Sequence, residues 1–273
     1  MRTKSAASAI APLLVLAFAS PAFAQIKTEV VTVEVRPGAT LRYLGLHPGG
    51  KPRAAVILLA GGNGVLKLSP SGAFGSNLGL NFLVRSRGQF AGQGLYVAVV
   101  DAASDRQGGM NGAIRLSAQH AQDIGKVIAE VRKRSGAPVW LVGTSAGTLS
   151  AAGVAPRLAS SNSRPHGVVL SSTMTSLVPG YCGKSVYDAA LGSIRMPALV
   201  VSHRDDGCQC TPGDAAAGGK LMAALSGSPA KEHKIFTGGN APISGPCDAR
   251  SQHGFFGIEG SVVKFIADWI KRH

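Results

Sequence analysis

The chain is short of aromatic and of charged residues. Phe, Trp and Tyr make up 5% of its 273 residues, and Asp, Glu, Lys and Arg make up 15%. A surface for nucleic acid interleaves basic residues with aromatics, so the aromatic shortage argues against that class despite a formal charge of +14. The basic residues also stand apart, with Arg132-Lys133-Arg134 and Lys271-Arg272 the only tight clusters. Both fall toward the ends of predicted helices, where cations complement the helix dipole. The charge is read as a source of solubility, or of electrostatic attraction to an anionic envelope surface.

Linkers, repeats and long apolar runs are missing as well. No Ser/Pro tract, charge block or heptad array divides the chain, and 45% apolar residues can fill one sizeable core. The N-terminal apolar stretch, Ala9 to Phe18, is too short to span a bilayer, which takes roughly 20 such residues. Arg2 and Lys4 precede it, and Ala22-Phe23-Ala24 follows it. That is the layout of a secretory signal peptide over residues 1–24, cleaved near Ala24-Gln25. Its removal takes the formal charge from +14 to +12. The expectation is a periplasmic or secreted protein with one domain over residues 25–273.

Cysteine is also scarce, with four residues: Cys182, Cys208, Cys210 and Cys247. In an oxidising compartment these suggest disulfides, and three pairings are open. Cys208-x-Cys210 lacks zinc-ligand spacing and has no second cluster after it, so no metal is expected.

What the chain does have in quantity is glycine, 36 residues dispersed among apolar runs, which suits tight turns and close helix–sheet contacts. Glu29–Arg36 and Thr40–His47 alternate about Pro37-Gly38, a hairpin signal. Short apolar runs without alternation follow at Ala55–Ala60, Tyr96–Asp101, Pro138–Gly143, Gly167–Ser172 and Ala198–Ser202, with a weaker one at Lys234–Thr237. Such strands are covered by helices on both faces. Helices are predicted over Leu78–Gln93, Ser117–Ser135, Ala146–Leu158, Asp214–Leu225 and Gly260–Lys271. The alternation implies a mostly parallel, doubly wound sheet with an N-terminal antiparallel hairpin, and ligands bind such sheets beyond the carboxyl ends of the strands.

At one of those ends stands Gly143-Thr144-Ser145-Ala146-Gly147. As a bare string, G-x-S-x-G would arise by chance roughly once in two chains of this composition. Its setting raises its value, because a strand leads in and a helix leads out, as a sharp turn displaying a nucleophilic serine requires. A serine hydroxyl needs a base, and the base needs an orienting acid. In this arrangement the order is Ser, acid, His. The strand Ala198–Ser202 ends in His203-Arg204-Asp205-Asp206-Gly207. Asp206 is the preferred acid because Gly207 suits a tight turn, with Asp205 the alternative. His203 reads as a strand-end histidine.

Of seven histidines, His253 alone lies between the last strand and the last helix. His47 and His166 belong to turns, His120 to a helix upstream of Ser145, His233 precedes the last strand, and His273 is terminal. Oxyanion donors are expected from the amide of Ala146 and from Gly62 and Asn63, in Ala60-Gly61-Gly62-Asn63-Gly64 after the third strand. That loop lacks the Lys-Ser/Thr of a phosphate loop and a dinucleotide glycine pattern. Asp101 ends a strand but precedes Ser145, so it reads as a pocket or structural carboxylate.

The glycine loop, the Ser145 motif, the acid loop Ser202–Gly207 and His253-Gly254-Phe255 together resemble the α/β-hydrolase superfamily over nearly the whole mature chain. Dienelactone-hydrolase-like and small esterase members are similar in size and carry the His-Gly-Phe run. The resemblance implies the α/β-hydrolase fold and a serine hydrolase cleaving an ester, thioester or related acyl bond of a small-molecule substrate through an acyl-enzyme, without cofactor. A peptidase or acyltransferase would use the same triad, and a non-catalytic binding protein could keep the fold; here all three triad positions are filled. In the related feruloyl esterase and tannase group, cysteines adjoin the serine and histidine, whereas none adjoins Ser145 or His253. Cys208 instead follows Asp206 by two residues and Cys247 precedes His253 by six. A Cys208–Cys247 bond is therefore expected to join the acid and base loops, with Cys182–Cys210 as the second; the alternative gives Cys210 to Cys247. Thr173–Pro197 leaves room for a short lid at most, and Phe74, Phe82 and Tyr181 are candidate acyl contacts.

Overall fold

The computed structural model describes residues 26–273. The expected signal peptide and its cleavage point lie outside the described residues. Eight strands form one sheet: β1 (Lys27–Arg36), β2 (Ala39–His47), β3 (Ala55–Leu59), β4 (Tyr96–Val100), β5 (Val139–Ser145), β6 (Gly167–Thr173), β7 (Ala198–His203) and β8 (Lys231–Phe236). Their order is β1-β2-β4-β3-β5-β6-β7-β8. β1 and β2 form the antiparallel hairpin, β2 meets β4 antiparallel, and the strands from β4 to β8 run parallel.

Among the described residues seven α-helices accompany them: α1 (Phe82–Arg85), α2 (Arg87–Gly92), α3 (Gly112–Arg115), α4 (Ala118–Ser135), α5 (Gly147–Arg157), α6 (Ala215–Ala224) and α7 (Glu259–Arg272). Every residue of β3 and β4 is buried. Alternate residues of β3 point to opposite cores. Ala55, Ile57 and Leu59 join Ile124, Val127 and Ile128 of α4 and Leu149 and Val154 of α5. Val56 and Leu58 join Phe90 of α2 and Val262, Ile266 and Trp269 of α7. Both faces are thus covered, which is why the strands read as continuous apolar runs.

The caps follow from sequence. Ser117 accepts from the His120 amide at the start of α4, and Gly136 ends that helix with φ 61°, a left-handed residue that glycine adopts at little cost.

Two expectations need correction. Leu78–Gln93 is not one helix but a short turn of 3-10 helix, Asn77–Leu80, followed by α1 and α2. Asn81 breaks it by capping a new start, its side chain accepting from the Leu83 amide, and Ser86 interrupts again with ψ near 0°. Apolar periodicity persisted through these breaks because the pieces still face one core. The last strand begins at Lys231, so His233 lies within it; its ring meets Ser202 Oγ on β7 at 3.1 Å. The edge strand is polar and half-exposed, which left little hydrophobic signal for its true start.

Among the described residues no helix is long and apolar enough to cross a membrane.

Candidate active site

The parallel strands end side by side, with Leu59 paired to Gly143 and Ser145 to Thr173. Their carboxyl ends deliver the residues singled out above to one rim. Ser145 itself sits at φ 53°, a conformation that costs a side-chain-bearing residue about 1 kcal/mol or more and persists only where the surroundings impose it. Neighbouring glycines impose it. A Cβ at Gly147 would run into the carbonyl oxygen of Leu59, and one at Gly143 into the backbone of Gly147. Two side chains are therefore excluded so that β5 can turn sharply into α5. Gly61 completes the crowding, since a Cβ there would lie 2.9 Å from Ser145 Cβ.

Asp206 is the acid that faces the histidine. Its Oδ2 lies 3.0 Å from His253 Nδ1, with its side chain wholly buried and that of His253 7% exposed. Thr211 Oγ1 donates to the same Oδ2 at 2.9 Å and lies 3.0 Å from His253 Nδ1. The other oxygen, Oδ1, accepts the Cys208 amide at 2.9 Å. Because the carboxylate only accepts, the network places the imidazole hydrogen on Nδ1 and leaves the Nε2 lone pair free for base chemistry.

Asp205 is turned away. Its side chain is 50% exposed and pairs with Arg204, whose hydrogen bonds and charge hold its carboxyl below the usual range. Of the two aspartates, Asp206 alone meets His253. His203 is structural: its Nε2 bonds the Gly238 carbonyl at 2.9 Å and its Nδ1 accepts the Asp205 amide at 3.1 Å.

The His253 segment is held from behind. Ser172 Oγ donates to the His253 carbonyl at 2.8 Å, and Arg85 donates to the Gly254 carbonyl at 2.6 Å while pairing with Glu259. Gly254 has no room for a side chain beside the Ala249 carbonyl. Phe255, at φ 56°, drops its buried ring 4.9 Å from Phe82. The His-Gly-Phe run is thus a turn that anchors itself in the core.

Ser145 and His253 line one cleft of about 670 Å³ together with Gly62, Asn63, Leu78, Asn81 and Phe82. Ser145 Oγ and His253 Nε2 share that cleft without a direct hydrogen bond. Such contacts are often loose before substrate binds. Beside Ser145, the loop after β3 has its carbonyls tied back. Gly61 O accepts Gly64 N, Gly62 O accepts Arg115 Nη2, and Asn63 O accepts Met110 N. The amides of Gly62 and Asn63 donate to none of the described residues.

Asp101 proves to be structural. Its carboxylate accepts the amides of Leu66 and Leu68 at 2.7 and 2.8 Å, and also that of Ala102. It thereby holds Lys67 at φ 52° on the cleft wall.

Both expected disulfides are present, Cys208–Cys247 with Cα atoms 4.6 Å apart and Cys182–Cys210 at 6.0 Å. Together they chain the 182 region, the acid loop and the base loop. Of the candidate acyl contacts, Phe82 lines the cleft; Tyr181 stands 68% exposed, and Phe74 packs under the Arg87 guanidinium instead. The rim over Ser145 comes from residues 76–82 and Cys247–Ala249, not from Thr173–Pro197. Sequence reading also missed Thr211, Ser172, Arg85 and Arg115. None belongs to a short motif, although Thr211 follows Asp206 closely enough to have invited inspection. Among the described residues no cluster of His, Cys, Asp or Glu could hold a metal ion.

This sheet order, strand–turn–helix and acid–base arrangement define the α/β-hydrolase fold, and solved structures agree. The chain is similar to a cold-adapted esterase from an Arctic intertidal metagenomic library at 15% identity, covering 89% of this chain and 94% of that one with a TM-score of 0.55. It is similar to the Pyrococcus furiosus esterase Pf2001 at 14% identity, with 96% and 99% covered and a TM-score of 0.58. It also matches 36% of a putative dipeptidyl aminopeptidase IV from Bacteroides ovatus, over 93% of this chain, at 10% identity and a TM-score of 0.61. At these identities the likeness shows the fold. No family model and no curated protein matches the chain.

Proposed function

We propose that the protein is a serine hydrolase that cleaves a carboxylic ester or related acyl bond of a small-molecule substrate through an acyl-enzyme. The observation that carries this reading is the buried Asp206–His253 pair, braced by Thr211, facing the same cleft as a strained Ser145. Ser145 Oγ attacks the acyl carbonyl while His253 Nε2 takes its proton. Asp206 keeps the ring oriented and stabilises the imidazolium that forms. The tetrahedral oxyanion meets the amides of Ala146 and of Gly62 and Asn63. His253 then protonates the leaving alcohol, and water repeats the sequence to release the acid.

The cleft is walled by Lys67, Ser76, Asn77, Asn81 and Gln107 beside Val65, Leu78 and Phe82. So mixed a lining suits short acyl groups over long alkyl chains, which gain affinity only from extended apolar surface. The test is labelling with a fluorophosphonate probe and mapping of the adduct, together with turnover of p-nitrophenyl esters of increasing acyl length. Labelling of Ser145 and a decline in kcat/KM with chain length are expected. Folded protein that neither labels nor turns over any ester, or that prefers aminoacyl amides, would overturn the reading.

A further inference from the structure

Arg115, at the end of α3, is 2% exposed, and no carboxylate pairs with it among the described residues. Its Nη1 donates to Ser150 Oγ at 3.0 Å. Its Nη2 donates to the Gly62 carbonyl at 3.0 Å and, more weakly, to that of Gly61 at 3.5 Å. Its Nε has no partner. Nearby acids are committed elsewhere, Asp101 to three backbone amides and Asp123 to Arg36. His120 gives no compensation either: burial and the charge of Arg115 push it down to about 3, so it is neutral around pH 7. Burial pulls Arg115 itself down to about 10, which leaves it a cation at that pH. A buried, unpaired and incompletely bonded cation destabilises a fold, and apolar side chains of similar volume would serve packing better.

The peptide geometry shows what the cation does. In a planar trans peptide, the carbonyl of one residue and the N–H of the next point in opposite directions. The Gly61 carbonyl shares its plane with the Gly62 amide, and the Gly62 carbonyl with the Asn63 amide. A guanidinium that draws both carbonyls inward turns both N–H groups outward, toward the cleft that Ser145 lines. Gly64 leaves space for this approach, because a Cβ there would come within 2.6 Å of Arg115 Nη2. Ser150 lies on α5, the helix that begins just after Ala146. One side chain therefore braces both sources of oxyanion donors.

We propose that Arg115 is a positioning residue for this oxyanion site, fixing the Gly62 and Asn63 amides and placing positive charge behind them; this rests on the serine-hydrolase reading above. The charge acts when the substrate carbonyl becomes an oxyanion, so it favours the transition state over bound substrate.

The test compares wild type with Arg115→Met and Arg115→Lys, each checked by circular dichroism and thermal melting. Arg115→Met is expected to melt no lower than wild type, yet to lose about 10- to 100-fold in kcat with KM little changed. Affinity for a trifluoromethyl ketone, which forms a tetrahedral adduct, should fall by a similar factor. Amide hydrogen exchange at Gly64 and Met110, whose N–H groups donate to the Gly61 and Asn63 carbonyls of the loop, should quicken. Arg115→Lys keeps the charge but lacks the fork, and should recover part of kcat. Folded Arg115→Met with kcat within about twofold of wild type would overturn the proposal, as would a loss confined to KM. If Met prevents folding, an Arg115→Lys protein with wild-type kcat and unchanged exchange overturns it instead. Wild-type protein that neither labels nor turns over esters sinks the hydrolase reading and the catalytic half of this proposal with it. The exchange measurement then still decides whether Arg115 fixes the loop.

Discussion

The two halves of the site are built by different means. The Ser145 half is made mainly of backbone: a strand end, a left-handed serine whose carbonyl accepts the Thr148 hydroxyl at 2.6 Å, and glycines that permit close approach. The Asp206–His253 half is made of side chains and covalent links, on loops 47 residues apart in sequence that a disulfide and Thr211 bring together. Ser145 is positioned by the sheet, whereas Asp206 and His253 are positioned by one another. The first should fail abruptly and the second by degrees.

Substitutions at the extremes of this contrast should show the largest effects. Gly147→Ala places a methyl group against the Leu59 carbonyl and should cost at least about 3 kcal/mol, read as loss of soluble folded protein and with it all activity. Wild-type melting behaviour in Gly147→Ala would deny that backbone crowding builds the turn. Ser145→Ala should fold normally and melt close to wild type, because alanine carries the same Cβ at φ 53°, while activity falls by roughly four orders of magnitude or more. A substantial residual rate in purified Ser145→Ala would sink the assigned nucleophile.

On the other half, Asp206→Asn should lower kcat by up to about 10⁴-fold, because an amide can hold the imidazole in the wrong tautomer. Asp205→Asn, which disturbs only an exposed pair with Arg204, should stay within about twofold. Equal losses in the two variants would abolish the distinction that the structure draws between them. Replacing both Cys208 and Cys247 by Ser opens a link spanning 39 residues and should cost about 2–4 kcal/mol. Activity should then fade at denaturant concentrations where the far-UV signal of the sheet persists. Coincident loss of both signals would mean that the loops and the sheet unfold as one unit. Thr211→Val removes one buried donor from the carboxylate, worth about 1.5–3 kcal/mol, so a drop in kcat of roughly 10- to 100-fold at most is expected; the assay is steady-state turnover beside Asp206→Asn.

The same contrast explains what could be read from residues alone. The strand–turn–helix at Ser145 is local: strand, glycines and helix are contiguous, so G-x-S-x-G in that setting is legible. The parallel strands were legible because burial on both faces makes continuous apolar runs, and the one edge strand misjudged, β8, is the parallel strand with no buried residue. The candidate partner of His253 was narrowed to two neighbouring aspartates, and which of them meets it was decided only in three dimensions, since adjacent residues on a turn point in different directions. Asp206 turns into the interior toward His253, and Asp205 turns to solvent and Arg204. Arg115 left no trace in any pattern, because its partners are carbonyl groups, which every sequence supplies.

By itself, then, the sequence determined the order of strands and helices, the serine turn, and a short set of acids and histidines from which a triad could be drawn. These depend on hydrophobic periodicity and on where glycine is tolerated, both local properties of a chain. Only the tertiary structure decided which aspartate meets His253, that Thr211 joins them, which cysteines pair, and that a buried guanidinium sits behind the loop at Gly62. Each of those is a contact between residues distant in sequence or a choice of side-chain direction, set by how the completed sheet aligns its strand ends.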